Sequence, residues 1–161
     1  MKAVSNTSPL LYLYRVGGLY WLEAIFEEVW VPEAVLDELS EGRQRGYEVP
    51  DPSSYSWIRV ANPRNMPSEW LATDLGSGEL GAMALGLEHP ESIVLLDDLL
   101  ARRIARAAGL TVWGTLRIIL EAKERGLIQE IKPCVKELRK AGMWLSQEIE
   151  RRILRLAGEA F

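Results

Sequence analysis

Residues 92–103 read SIVLLDDLLARR, in which an apolar run ends in two carboxylates and a helical pattern follows directly. A short, continuous apolar run between polar residues is typical of a strand that is buried on both faces, as in a parallel sheet. In open α/β sheets, ligands bind outside the carboxyl ends of the strands. Asp97 and Asp98 therefore lie where a fold of this kind would place its chemistry.

Other short apolar segments alternate with helical patterns along the whole chain. We predict further strands at residues 3–5, 29–31, 57–60 and 111–113, the third of them exposed or at a sheet edge. This alternation predicts an α/β protein with three α/β/α layers and a central parallel sheet. At 161 residues we expect a single domain over 1–161, whose last two helices, about 132–158, form a C-terminal helical extension.

The composition excludes several classes of site. The one cysteine, Cys134, leaves no intrachain disulfide and no thiolate cluster for zinc or iron–sulfur binding. The one histidine, His89, excludes paired histidine zinc ligands, and a Ser-His-Asp triad would have to use it. Any metal site must therefore use oxygen ligands, which favours Mg²⁺ or Mn²⁺. The net charge of −4 argues against nucleic-acid binding by a bulk positive field but permits local basic faces.

The apolar runs also bear on where the protein works. None is long enough to span a bilayer, and the polar residues 5–8 interrupt the N-terminus before a signal-peptide core could form. We therefore expect a cytoplasmic protein with no membrane contact.

The segment GSGELG at residues 76–81 matches the dinucleotide-binding pattern G-x-G-x-x-G. That fingerprint needs a buried strand directly before the first glycine, whereas residues 68–74 are typical of a loop or a short helix. Glu79 would also place a negative charge where the pyrophosphate should bind. We predict instead that the glycines let the chain pass close to the sheet and that Glu79 faces a pocket. The alternative is that Glu79 only complements the helix dipole.

Polar residues also follow the first and last predicted strands. Asn6 and Thr7 come directly after the first strand, and Ser8 with Pro9 is expected to cap and begin the next helix. Thr115 follows the last strand, where N-cap is its expected role. The carboxyl ends of parallel strands meet at one edge of the sheet, so these polar groups are predicted on the same edge as Asp97. The alternative for Asn6 and Thr7 is that they only form the turn after the strand.

The remaining acids have more than one interpretation. Glu38 lies next to the apolar stripe of its helix, so it is either at the rim of a pocket or part of a solvated face. Asp98 leaves the strand and begins a helix, so both an N-cap and an outer metal ligand stay open. Carboxylates without histidine suit two divalent ions that activate water and stabilise the leaving oxygen of a phosphodiester.

Helical periodicity predicts which faces of two helices are buried. In the helix after Asp98 we predict burial of Leu100, Ile104 and the alanines 107–108, with arginines on the other faces. In the last helix we predict a buried stripe of Ile149, Ile153 and Leu156.

Four phrases in order resemble the PIN-domain family: VSNTSPL at residues 4–10, VPEAVLDEL at 31–39, DLGSGE at 74–79 and LLDD at 95–98. The phrases ARR at 101–103 and GTL at 114–116 resemble an uncharacterised prokaryotic subgroup of predicted nucleic-acid-binding proteins, related to the VapC-type toxins. The resemblance covers nearly the whole chain. It implies a metal-dependent ribonuclease fold with a sheet of about five parallel strands.

The resemblance also implies a set of site residues. The acids that hold Mg²⁺ or Mn²⁺ in the family match Asn6, Glu38, Glu79 and Asp97, with Asp98 close by. Hydroxyl groups of the substrate site match Thr7 or Ser8 and Thr115.

Asn6 departs from the acid that the family has at the first position, and an amide oxygen binds Mg²⁺ or Mn²⁺ more weakly than a carboxylate. Two hypotheses follow. One is a metal-dependent endoribonuclease, the toxin of a toxin–antitoxin pair, in which Arg102 or Arg103 guides the RNA. The other is a catalytically weakened PIN fold that acts as an RNA-binding or protein-interaction module. The resemblance further implies an RNA substrate, a small antitoxin-like partner and a homodimer.

Overall fold

Five short strands form one sheet in the computed structural model, which describes residues 1–161. They are β1 (Ala3–Ser5), β2 (Val29–Val31), β3 (Ile58–Val60), β4 (Ile93–Leu95) and β5 (Thr111–Trp113). Their order is β3-β2-β1-β4-β5, and every neighbouring pair is parallel. The parallel sheet of the predicted α/β/α fold is thereby confirmed, with β3 at an edge as expected.

Eight α-helices connect and cover the strands. They are α1 (Thr7–Arg15), α2 (Tyr20–Ile25), α3 (Glu33–Gln44), α4 (Ser77–Glu88), α5 (Leu99–Ala107), α6 (Thr115–Glu124), α7 (Lys132–Lys140) and α8 (Gln147–Leu156). None of them has both the length and the apolar character that crossing a membrane requires.

The two faces of the sheet are buried in two separate cores. Ala3 and Val29 belong to the larger core, which also takes residues from α1, α2, α3 and α6. Val4 and Val94 belong to the smaller core, which α4 and α5 cover. Because successive strand residues point to opposite faces, the inner strands β1 and β4 each contribute to both cores. The three layers follow from this arrangement.

The last two helices pack against the larger core. Val135 and Leu138 of α7 and Ile153 and Leu154 of α8 are buried in it, together with residues of β1 and β2. The assignment of one domain with a C-terminal helical extension stays a prediction.

The order of the strands creates a crevice between β1 and β4. From β1 the chain continues to β2 on one side, whereas β4 pairs with β1 on the other side. Such a reversal of strand order is where open α/β sheets bind their ligands, outside the carboxyl ends of the strands. Asn6 follows β1 directly, and Asp97 lies two residues beyond β4. The topology thus brings the amide and the carboxylate to the same crevice.

The first helix begins earlier than predicted. α1 starts at Thr7 with Asn6 in the N-cap position, so the expected Ser8 cap is wrong. Asn6 has extended backbone angles (φ −80°, ψ 176°), which lets the helix start one residue after the strand ends. Pro9 lies in the first turn, where its missing N–H costs no hydrogen bond.

Helix α5 is turned relative to its predicted orientation. Ala101 and Ala105 are buried, whereas Leu100 is 43% exposed and the alanines 107–108 are exposed. Two alanines one turn apart present a smooth surface that lets the helix lie close to the sheet, whereas the larger leucine would hold it away. This rotation places the neighbouring Arg102 beside the crevice.

Helix α8 is turned in a similar way. Ile153 is buried as predicted, but Ile149 is 40% exposed and Leu156 is 70% exposed. The buried face includes Glu150, whose carboxylate lies 2.7 Å from the Arg139 guanidinium of α7. The ion pair compensates for burying the acid, so it allows a face that apolar periodicity did not predict.

Candidate metal centre

Asn6 occupies an N-cap position but does not cap. Asparagine at this position normally accepts a hydrogen bond from an N–H of the first helical turn, and the Asn6 side chain makes no such bond. The residue is 4% exposed, and its Oδ1 atom is shielded from solvent without any hydrogen-bond partner. Since a buried acceptor without a donor is costly, this oxygen is suited to a ligand that supplies positive charge.

Glu38 of α3 reaches the same place from the neighbouring layer. It is half-buried, and its Oε1 atom accepts a hydrogen bond of 2.5 Å from the hydroxyl of Thr7. Glu38 therefore does not belong to a fully solvated face, and its position at the rim of a pocket stays a prediction. The hydroxyl of Thr7 fixes one carboxylate oxygen and leaves the other free to bind.

Gly78 lets these two oxygens pack closely against the backbone of α4. A Cβ atom at this residue would lie 2.5 Å from Glu38 Oε1 and 2.8 Å from Asn6 Oδ1. Gly78 is buried in the first turn of α4, which the structure brings close to the sheet as predicted for the glycines. The segment before these glycines is a 3₁₀ turn, Ser68–Ala72, so the strand required for dinucleotide binding is absent.

Asp97 lies on the opposite side of the crevice and is held by Thr115. The Thr115 N–H donates to Asp97 Oδ1 and the Thr115 hydroxyl donates to Asp97 Oδ2, each over 2.7 Å. Thr115 is the first residue of α6, and the N-cap position belongs to Gly114, so the predicted cap role of Thr115 is wrong. Its buried hydroxyl instead orients the carboxylate.

Opposing effects act on the pKa of Asp97. Burial raises it, whereas the two hydrogen bonds from Thr115 and the nearby charge of Arg102 lower it. The net direction is upward. A bound cation would also lower the pKa of Asp97, as Thr115 and Arg102 do, because it favours the ionised carboxylate.

Glu79 combines the two roles considered for it. Its Oε1 atom accepts a 3.0 Å hydrogen bond from the N–H of Gly76, which caps the first turn of α4. Burial raises its pKa, the Gly76 bond lowers it, and the charges of Asp98 and Glu38 raise it further. Glu79 is therefore close enough to both acids to share their electrostatic environment.

The other predicted site residues are less closely engaged. Asp98 is the N-cap of α5 and accepts a 2.9 Å hydrogen bond from Ala101, so the capping alternative is the one found. Ser8 is half-buried in the first turn of α1. Arg102 is half-buried, whereas Arg103 is exposed on the same helix. The structure thus separates two arginines that sequence alone treated as equivalent.

Tyr12 is a site neighbour that the sequence analysis missed. Burial raises the pKa of its phenol, and the negative charge of Asp97 raises it further, against the effect of Arg15. Helical side chains point back toward the N-terminus of their helix, so Tyr12 of α1 is directed toward the crevice. The spacing from Ser8 to Tyr12, four residues on one helix face, is the signal that could have found it.

The donor atoms of these residues are of the type that divalent cations bind. Asn6 Oδ1 is unpartnered, Glu38 lies beside it, and a Cβ atom on Gly78 would clash with both oxygens. Oxygen donors of this kind suit Mg²⁺ or Mn²⁺. No three acidic, histidine or cysteine side chains converge closely enough to hold a metal on their own. Water would therefore have to complete the coordination shell.

The chain matches the family model described as "PIN domain" over residues 2–159. It is also similar to a solved structure from Methanocaldococcus jannaschii, described as a domain of a functionally unknown protein, with 19% identity and a TM-score of 0.45. That match covers 70% of this chain and 89% of the other. No curated protein matches the chain significantly.

Proposed function

Because the chain belongs to the PIN-domain family, we propose that it is a divalent-metal-dependent endoribonuclease. The family is of the nuclease type, and PIN domains generally use divalent metals. One observation carries the proposal for this chain: the buried, unpartnered Oδ1 atom of Asn6 lies next to Glu38, at the edge where Asp97 is held. A buried acceptor without a donor, together with the carboxylates beside it at the reversal point of the sheet, favours a cation there.

In this proposal Mg²⁺ or Mn²⁺ would be held by Asn6 and Glu38, and Asp97 would reach it through a water ligand from the other side of the crevice. When bound, the ion lowers the pKa of water and neutralises charge on the phosphodiester. Glu79 and Asp98 add negative charge around it.

The surrounding residues position the ligands and the RNA. The hydroxyl of Thr7 orients Glu38, and Thr115 orients Asp97 through two hydrogen bonds. Ser8 extends the hydroxyl-bearing wall of the site. Arg102 lies at the crevice to meet the phosphate, and Arg103 contacts the RNA farther out.

Metal removal provides the direct test. We expect the purified protein to cleave RNA in Mn²⁺ or Mg²⁺ and to lose this activity in EDTA, because the proposed site has no other cation to activate water. Single-turnover cleavage of hairpin and single-stranded RNAs measures it, and adding excess Mn²⁺ back should restore the rate. Cleavage that continues in EDTA, or that no divalent ion supports, would contradict the proposal.

The second candidate function is a binding module without turnover. Asn6 replaces a carboxylate, and no three acids converge on a metal position, which favours a weakened site. Such a protein would use the crevice to bind RNA or another protein.

Replacing Asn6 with aspartate separates the two functions. The added charge faces Glu38 across Gly78, so Mn²⁺ should bind at least about tenfold more tightly, as ligand charge tunes affinity in oxygen sites. Calorimetry measures the affinity, and RNA cleavage is measured in parallel. New activity that appears only in Asn6→Asp identifies a weakened site, whereas activity in both proteins identifies a competent native site. An unchanged affinity would show that Asn6 is not a ligand.

The toxin role, an antitoxin-like partner and a homodimer belong to the same proposal. Trp144 is 82% exposed between α7 and α8, and Leu156 of α8 is 70% exposed. Exposed large apolar side chains support a surface that another chain covers. Light scattering on the purified protein tests the homodimer.

A further inference from the structure

A second glycine, Gly114, allows two side chains to pack closely against the backbone on the Asp97 side of the crevice. A Cβ atom on Gly114 would lie 2.8 Å from Arg102 Nη1 and 3.2 Å from Asp97 Oδ1. The guanidinium and the carboxylate therefore face each other across this glycine. They do not form an ion pair, and the Nε–H of Arg102 is shielded from solvent without an acceptor.

The position of Arg102 follows from the packing of α5. Because Ala101 and Ala105 are buried, the adjacent Arg102 lies along the edge of the buried face and is itself half-buried. The pKa of Arg102 is lowered by burial and by the charge of Arg106, while Asp97 opposes this shift. Arg103 and Arg106 extend into solvent. Only one arginine of the helix thus reaches the crevice.

The crevice is therefore divided into two unlike halves. At Gly78, Asn6 Oδ1 has no donor and Glu38 accepts a hydrogen bond from the Thr7 hydroxyl, but no cationic side chain pairs with Glu38. At Gly114 the protein brings its own cation next to Asp97, whose two oxygens already accept hydrogen bonds from Thr115. A divalent ion on this second side would be repelled by the guanidinium.

We propose that Arg102 takes the place of a second metal ion. The site then holds one divalent ion on the Asn6–Glu38 side, and Arg102 supplies the other positive charge. Its Nη1, which lies at Gly114 beside Asp97, donates to an oxygen of the scissile phosphate, because a guanidinium binds phosphate strongly. The phosphate contact rests on the proposed nuclease function, whereas the number of metal ions does not.

The number of bound Mn²⁺ ions tests the proposal without RNA. Calorimetry, with electron paramagnetic resonance of free Mn²⁺ as a second readout, should find one ion per chain in the wild type. Arg102→Met should bind a second, weaker ion because the space beside Asp97 loses its positive charge. Arg102→Lys should keep one ion, since lysine retains the charge. Arg103→Met, which removes the same charge from the exposed face, should also keep one.

Several results would overturn the proposal. They are a wild-type protein that binds two ions or none, an Arg102→Met protein that binds no additional ion, and an equal gain in Arg103→Met. The number of Mn²⁺ ions bound by the wild type tests the proposal even if a variant folds poorly. Circular dichroism identifies such a variant. A wild type that binds one ion but cleaves no RNA would refute the nuclease proposal and leave the metal count supported.

Discussion

Asp97→Asn is expected to lower metal-dependent RNA cleavage by at least about 100-fold, the upper end of the effect of losing an outer-shell partner. The change removes a full negative charge from the crevice but keeps the shape of the side chain. An asparagine oxygen can still accept from the Thr115 N–H, and its amide can donate to the Thr115 hydroxyl. The fold should therefore survive, and the loss should report on chemistry. Single-turnover cleavage in Mn²⁺ measures it.

Asp98→Asn is the matched control for this experiment. It removes the same charge from the next residue, but Asp98 caps α5 through Ala101, and asparagine is an equally good N-cap. Cleavage should change by no more than about threefold, the scale of a modest change in surface electrostatics. Equal losses in both variants would show that the net charge of the protein, and not the position of Asp97, determines the rate of cleavage. Wild-type activity in Asp97→Asn would remove this residue from the site.

Gly78→Ala is the second substitution for which a large effect is expected. The new methyl group would lie closer to Glu38 Oε1 and Asn6 Oδ1 than van der Waals contact allows, so these side chains must shift. Glu38 has a flexible side chain and can move, which separates the two oxygens without disturbing the core. Mn²⁺ affinity and cleavage should each fall about 10- to 100-fold. The melting temperature should fall only modestly, because the displaced Glu38 loses its hydrogen bond from Thr7 while alanine is the better helix former.

Gly76→Ala tests whether any added methyl group in this segment has the same effect. The nearest atom to a Cβ at Gly76 is Glu79 Oε1 at 3.7 Å, an ordinary contact. Gly76 is the N-cap of α4, so we expect a stability cost within about 1 kcal/mol. Mn²⁺ affinity should be retained. If Gly78→Ala binds Mn²⁺ as well as Gly76→Ala does, the space beside Asn6 and Glu38 is not the metal position.

The strands could be predicted because their signal is local. The runs at 3–5, 29–31 and 111–113 have the predicted bounds, since a three-residue apolar strand between polar residues leaves little freedom for its ends. The buried face of a helix was predicted less accurately than the strands were. In α5 both the leucines and the alanines are apolar, so periodicity allowed two adjacent faces. Close packing on the sheet selected the alanines.

The residue types of the candidate site followed from sequence, but their roles did not. Absence of paired histidines and cysteines limited any metal site to oxygen ligands, and the motifs pointed to Glu38 and Asp97. Thr115 was expected to cap a helix, yet it holds a carboxylate that is 18 positions earlier in the chain. Tyr12 had no motif at all. Hydrogen bonds between distant segments have no local signal.

The secondary-structure elements and the types of metal-binding atom are thus properties of short segments. The periodicity and composition of the sequence specify both. Around the Asp97–Asp98 pair, only the folded arrangement distinguishes an oriented carboxylate from a helix cap. It also shows that Asn6 Oδ1 has no donor, and that Arg102 rather than Arg103 lies at the crevice. Whether a polar atom is satisfied depends on neighbours from other elements, and packing alone determines those neighbours.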